Sequence, residues 1–257
     1  MKTLISVVVA VIATYLVTSL LNTKQAAAPI ANAPADSVII PLSIVSMREN
    51  ASTSPTIAVE YPQFAAVSDD FNALIASSTL GRLGDFKSAV ADNMQARIAT
   101  QVPGQPSAVI PESAYSFLAS WQPAQINSHY ISFVERYDSY SGGANETQEL
   151  QTFNYDLVAH RPMTLDDILG TSSDYLPKLS ALARQELDQS LRAASPGYDP
   201  TAMLDAGTEP TADNFRNFTF TNYAITVYFP KYAVAPGAFG EQHVTFPRSA
   251  LSSTSGN

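Results

Sequence analysis

The chain has 257 residues, 46% of them apolar, enough for one large or two small domains with a sizeable core. Its 23 acidic against 14 basic residues leave a net charge of −9, which argues against nucleic acid as a partner and favours a basic one. It contains no cysteine, so disulfides, thiolate metal sites, cysteine nucleophiles and a lipobox are excluded.

Met1-Lys2-Thr3 is a short positive start, and Leu4–Leu21 carries no charge. That run sits at the lower limit for a membrane-spanning helix and exceeds an ordinary signal-peptide core. Residues 1–21 therefore read as a signal anchor, favoured over a signal peptide cleaved at an A-x-A site such as Ala26–Ala28. The positive end stays inside. The rest of the chain then lies outside the cytoplasm, tethered to the membrane through residues 4–21, or secreted if the signal is cleaved. Residues 22–36 form an Ala/Pro/Asn-rich linker.

The folded part is expected from Ser37. Val38, Ile39, Ile40, Leu42 and Ile44 suggest a first strand, and alternating Ile57, Val59 and Tyr61 a second, ended by Pro62. Ser68 before Asp69 and Asp70 marks a helix start, with Phe71, Leu74 and Ile75 as its apolar face. Asp85 offers a cap for another helix carrying Phe86, Val90, Met94 and Ile98. Three alternating runs follow: Tyr115 to Trp121, Ile131 to Tyr137, and Phe153 to Leu157. Such neighbours favour an antiparallel meander. Thr164 and Asp167 fit a capping box for a short helix that Gly170 ends. Ser172 or Ser173 opens a longer helix with Leu179, Ala183, Leu187 and Leu191 as its buried stripe. Residues 193–214 read as loop. A hairpin through Phe218, Phe220, Ile225, Val227 and Phe229 turns at Thr221-Asn222, and His243–Phe246 is the last strand.

The fold class expected is α+β: an antiparallel sheet packed against helices after an N-terminal membrane helix. Two subdomains would cover residues 37–135 and 136–251, followed by a tail at 252–257.

Catalytic signals are sparse. His129, His160 and His243 stand in no metal or hydrolase arrangement, and there is no G-x-S-x-G elbow, phosphate loop or dinucleotide fingerprint. Asp69-Asp70 and Asp166-Asp167 lie at helix starts, where the dipole attracts carboxylates, so capping outweighs paired-carboxylate catalysis. The stretch Tyr137–Asn145 differs. Tyr137 and Tyr140 offer flat, half-polar rings, while Ser141, Gly142 and Gly143 free the backbone to turn and present N–H groups. Its competing reading is a plain hairpin turn.

Several runs together resemble one exported bacterial family. They are Tyr137–Asn145, Phe153-Asn154-Tyr155-Asp156, Met163–Leu169, Tyr228–Gly240 and Val244–Leu251. The resemblance is to the paired module of unknown function in the ectodomain of the anti-sigma factor RsiV and beside the catalytic domain of the peptidoglycan deacetylase PdaC. It implies a two-part α+β fold without a catalytic role of its own, and in RsiV-like proteins binding of lysozyme. Asp156, Thr164, Leu165, Asp167, Tyr232, Val234, Ala235, Pro236 and Gly240 would be its structural motif residues. Two positions depart from the pattern: Asn145 stands for the usual His, and Gly237 for the usual aromatic.

The expectation is a non-enzymatic envelope module without cofactor or metal. It would bind a lysozyme-like basic protein or peptidoglycan through Tyr137, Tyr140, Ser141, Gly142, Gly143 and Asn145. The alternatives are a hydrolase of envelope polymers using carboxylates such as Asp138, Asp156 or Asp166, and a purely structural module.

Overall fold

The computed structural model describes residues 42–50, 55–65, 67–100, 111, 114–170 and 175–251. The expected membrane segment, the linker, residues 37–41 of the first strand, the caps Ser172 and Ser173, and the tail lie outside them. Among the described residues no helix is long and apolar enough to cross a membrane.

Six strands form the larger sheet in the order of the chain: β1 (Leu42–Glu49), β2 (Thr56–Phe64), β3 (Ser116–Ile126), β4 (Tyr130–Tyr140), β5 (Thr147–Asp156) and β6 (Arg161–Pro162). The expected meander is present as β3–β4–β5, antiparallel throughout. The sheet as a whole is mixed, however, because β2 and β3 run parallel. The helix between them, α1 (Asp69–Ala99), returns the chain to the starting end of the sheet, and a strand entered that way runs parallel to the one before. Pro62 does not end β2 but pairs with Ile44 inside it. Pairing with β3 stops at Val59, so the missing N–H costs no ladder bond on that side.

α1 is one helix of 31 residues, not two. Ser68 caps it, its hydroxyl accepting from the Phe71 N–H. Helical geometry carries it past Gly81 and Gly84, and its buried stripe is Phe71, Ile75, Thr79, Leu83, Phe86 and Val90. This stripe covers the odd-numbered side chains of β4 and β5. Phe71 stacks on Tyr155 at 4.3 Å and Phe133 on Phe153 at 4.9 Å.

The second layer follows β6. α2 (Leu165–Leu169) begins with the expected capping box, where the Asp167 carboxylate accepts from the Thr164 N–H at 2.7 Å. α3 (Tyr175–Ala194) buries Leu179, Ala183, Leu187 and Leu191 as its spacing predicts. The region read as loop holds a helix, α4 (Thr201–Gly207), preceded by Pro200 and buried through Leu204. β7 (Phe218–Phe220), β8 (Ala224–Phe229) and β9 (Gln242–Pro247) form a small antiparallel sheet, closed by α5 (Arg248–Leu251). One buried cluster ends at Leu157 and the next starts at Leu165. The expected boundary at 135/136 falls inside β4.

The two layers meet on the even-numbered face of β4 and β5. Ser132 Oγ accepts from the Phe220 N–H at 2.9 Å, and the Asn154 amide donates to the Phe218 carbonyl at 2.8 Å. Val134, Leu150 and Tyr228 fill the seam between them.

Candidate functional site

Beyond that apolar seam the two layers part, and a cleft opens. The strand period of two sends Arg136, Asp138, Gln148 and Leu150 to the same face. Opposite them run Pro230 and Lys231, after β8, and Gly240 and Glu241, before β9. The enclosed space is about 290 Å³. Arg136 spans it in a two-pronged ion pair with Glu241, at 2.8 and 2.9 Å, and its guanidinium lies 5.5 Å from the centre of the Tyr228 ring. Both partners are largely shielded, so the pair acts as a clamp between layers rather than a loose surface contact.

The hydrogen bond to Glu241 is the main reason the Arg136 pKa is raised. Burial pushes the Asp138 carboxyl above its usual range, opposed by a hydrogen bond from Gln148 and supported by the charges of Glu146 and Glu241. The cleft thus offers donors and acceptors of both signs, with Leu150 and Pro230 as its apolar part.

Tyr232 follows the cleft-lining Lys231 in the chain. Its backbone has φ 73°, a left-handed conformation that a bulky side chain rarely adopts, and 58% of the residue is exposed. Lys231 Nζ lies 5.6 Å from the ring centre. The ring occupies the space where a Cβ on Gly237 would stand. Gly237 thus gives room to the ring of Tyr232.

The Tyr137–Asn145 stretch divides into two parts. Tyr137 is 3% exposed. Its hydroxyl donates to Glu135 and lies 3.3 Å from Ser78 Oγ. Tyr140 is half-buried against Tyr115. The carbonyls of Ser141 and Gly142 accept from Asn93 at 2.7 Å and Arg97 at 3.4 Å, both on α1. Gly142 has φ 103°, and a Cβ there would lie 2.8 Å from Tyr115 Cε1, so fold geometry demands this glycine. Gly143 and Asn145 are exposed. Tyr137 and the Ser141 and Gly142 carbonyls thus face α1, Asp138 lines the cleft on the opposite face of β4, and Gly143–Asn145 is exposed.

Glu135, which the sequence reading passed over, is 1% exposed beneath α1. Thr79 donates to it at 3.1 Å, as does Tyr137, while its Oε1 has no partner. Burial raises its pKa to about 7, against the hydrogen bonds from Tyr137 and Thr79 and the charge of Arg82. The same burial, with the Glu135 charge, raises the Tyr137 pKa. Neither oxygen of Glu135 opens onto the cleft described above.

The three carboxylates considered for hydrolysis go to different places. Asp138 lines the cleft. Asp156 accepts from the Val158 and Ala159 N–H groups at 2.8 and 2.9 Å and shapes the turn after β5. Asp166 accepts from the Tyr175 hydroxyl at 2.7 Å. His129, His160 and His243 are exposed on separate elements. Among the described residues no three His, Asp or Glu side chains gather so as to hold a metal ion. Of the motif residues, Thr164 and Asp167 cap α2, Leu165, Val234 and Ala235 are buried, Pro236 precedes a 3₁₀ turn at Gly237–Phe239, and Gly240 lines the cleft. Arg136, Lys231 and Glu241 were missed by the sequence reading. The only local hint for two of them is their place in or beside the Tyr228–Gly240 run.

Residues 166–249 match the family described as a protein of unknown function, DUF3298. The peptidoglycan-N-acetylmuramic acid deacetylase PdaC of Bacillus subtilis is 38% identical over 112 residues, 44% of this chain and 23% of that protein. The immunogenic protein MPT64 of Mycobacterium tuberculosis is 28% identical over 113 residues, 44% of this chain and 46% of that one. The chain thus spans less than half the length of these curated relatives. A solved DUF3298 family member from Bacteroides fragilis superposes with a TM-score of 0.50 at 19% identity, covering 82% of this chain and 92% of that one, which shows a shared fold.

Proposed function

We propose that this chain, which carries a DUF3298 domain at residues 166–249, is a non-catalytic extracytoplasmic module that recognises cell-wall glycan. The observation that carries this reading is the cleft of Arg136, Asp138, Gln148, Lys231 and Glu241, with the exposed ring of Tyr232 beside Lys231 on a left-handed backbone. Planar side chains of both signs present paired donors and acceptors, which suit the hydroxyl and amide groups of a sugar chain. An aromatic face beside them suits the apolar face of a sugar ring. Backbone strain of about 1–3 kcal/mol is retained where the surroundings enforce it, often at binding sites. The relative PdaC is named for work on peptidoglycan, an envelope polymer, which fits the outward-facing location expected from the N-terminus. The exposed Gly143–Asn145 turn would contribute secondary contacts. Co-sedimentation with insoluble peptidoglycan tests the reading, and release of soluble fragments from the polymer would replace it with the hydrolase alternative.

A lysozyme-like basic protein is the second reading, favoured by the net charge of −9. Retention on immobilised lysozyme that fades as salt rises, without retention on peptidoglycan, would favour it.

A further inference from the structure

We propose that the open edge of β5 takes up an extended acidic segment of another protein as an added strand. This goes beyond the glycan reading and does not depend on it.

β5 is covered on one side by β4 along its length. On the other side β6 pairs only with Tyr155 and Asp156, and Met163 N–H donates to the Asn154 carbonyl at 2.9 Å. That bond fixes which way the strand faces. In an antiparallel strand the N–H and C=O of one residue point to the same side, and the side alternates along the chain. Gln148, Leu150 and Thr152 therefore turn their N–H and C=O groups away from β4, as Asn154 does. No strand among the described residues covers them.

This edge forms the floor of a groove. Residues Gln148 to Thr152 line a space of about 580 Å³, and Gln151 to Asn154 line an adjoining one of about 140 Å³ that ends at Pro162 and Met163. One wall is α1, with Arg82 and the exposed Leu74. The other is Arg216 together with Pro230 and Lys231. At about 3.3 Å per residue the floor matches an extended peptide of about six residues. Walls on both sides keep an added strand in line, while the backbone groups of the floor supply the ladder.

Charge selects the occupant. Arg82, Arg216 and Lys231 line the larger space against one acid, Glu149, in a chain whose net charge is −9. Arg82 pairs with Glu149 at 3.0 Å and Arg216 with Asp213 at 2.8 Å, while Lys231 donates to the Glu146 carbonyl at 3.3 Å. An incoming strand places alternate side chains on opposite walls. Carboxylates at alternate positions meet Arg216 and Lys231, and apolar residues between them meet Leu74.

The test uses a fluorescent peptide of alternating Glu and Val, titrated with the full chain and followed by anisotropy. Two control peptides carry Lys for Glu, or N-methyl groups on the amides that would face β5. The expected result is saturable binding of the acidic peptide, weakened at least about tenfold by either change and by Lys231→Glu with Arg216→Glu. Amide exchange at Gln148, Leu150 and Thr152 slows when the acidic peptide binds. No binding, or binding that ignores N-methylation, overturns the added strand. Equal binding of the Lys peptide overturns the charge selection. Peptidoglycan retention is measured separately, so failure of one reading leaves the other standing.

Discussion

The ring of Tyr232 lies where a Cβ on Gly237 would stand, and the Tyr232 backbone is left-handed at φ 73°. The two residues form one device: a glycine clears the space, and a strained tyrosine fills it. Gly237→Ala is expected to push the ring aside at modest cost, because the atoms it meets belong to the far end of a flexible side chain. Tyr232→Gly is expected to leave stability unchanged or raise it by about 1 kcal/mol, since glycine adopts this backbone freely. Both should lower retention on peptidoglycan. Thermal melts paired with co-sedimentation check the divergence between stability and binding.

Glu135 makes stability depend on pH. Its folded pKa of about 7 lies above the ordinary value of 4.5, so the folded state holds a proton that the unfolded state has lost. Its contribution is most favourable below the unfolded value. It fades as pH rises through about 7. By linkage the change is on the order of 3 kcal/mol across that window. Glu135→Gln, which cannot ionise, should therefore gain stability over the parent at pH 8 and lose that gain at pH 4. Denaturant midpoints at the two pH values, read as a difference between the proteins, isolate this group from the others.

Gly142 and Gly143 are expected to behave differently although they are neighbours. Gly142→Ala meets both a positive φ and the Tyr115 ring, and should cost about 1–3 kcal/mol. For Gly143→Ala the nearest contact is 3.9 Å from the Asn145 carbonyl oxygen, so the change should stay within about 0.5 kcal/mol. Urea unfolding of the two variants decides this, and equal losses would mean that the turn packs differently.

Asp167 works in the opposite direction to Glu135. Hydrogen bonds from Arg161 and from the Thr164 N–H hold its carboxyl well below the usual range. Its stabilisation is present above the unfolded value and disappears as pH falls through the folded one. Asp167→Ala should cost about 1 kcal/mol at pH 7, the ordinary value of a helix cap, and much less in strong acid. Melting curves at neutral and acid pH measure that difference.

Local patterns in the sequence carried much of the fold. The stripe Leu179, Ala183, Leu187 and Leu191, the Ser68 cap and the alternating runs of β3, β4 and β5 depend on residues close in the chain, and all appear as expected. What failed depended on partners far away. The parallel β2–β3 pairing leaves no local mark. The continuity of α1 across Gly81, Gly84 and Asp85 was hidden because glycines usually punctuate, yet here a Cβ at either glycine would touch nothing within 4 Å. α4 was hidden by Pro200, which precedes the helix and so does not break it. The cleft was least legible, since Arg136 and Glu241 stand 105 residues apart. The Tyr137–Asn145 stretch drew attention as a binding loop, but its aromatic part is packed against α1.

Glycan recognition by the cleft of Arg136, Asp138 and Lys231 is open to a direct pelleting measurement. Purified peptidoglycan is incubated with the parent chain, with Tyr232→Gly and with Asp138→Asn, then pelleted, after each variant has been shown by its melting curve to be folded. The parent is expected to enter the pellet, and both variants to be retained at least about tenfold less. A parent chain left in solution, or three proteins retained alike, would contradict glycan recognition by the cleft.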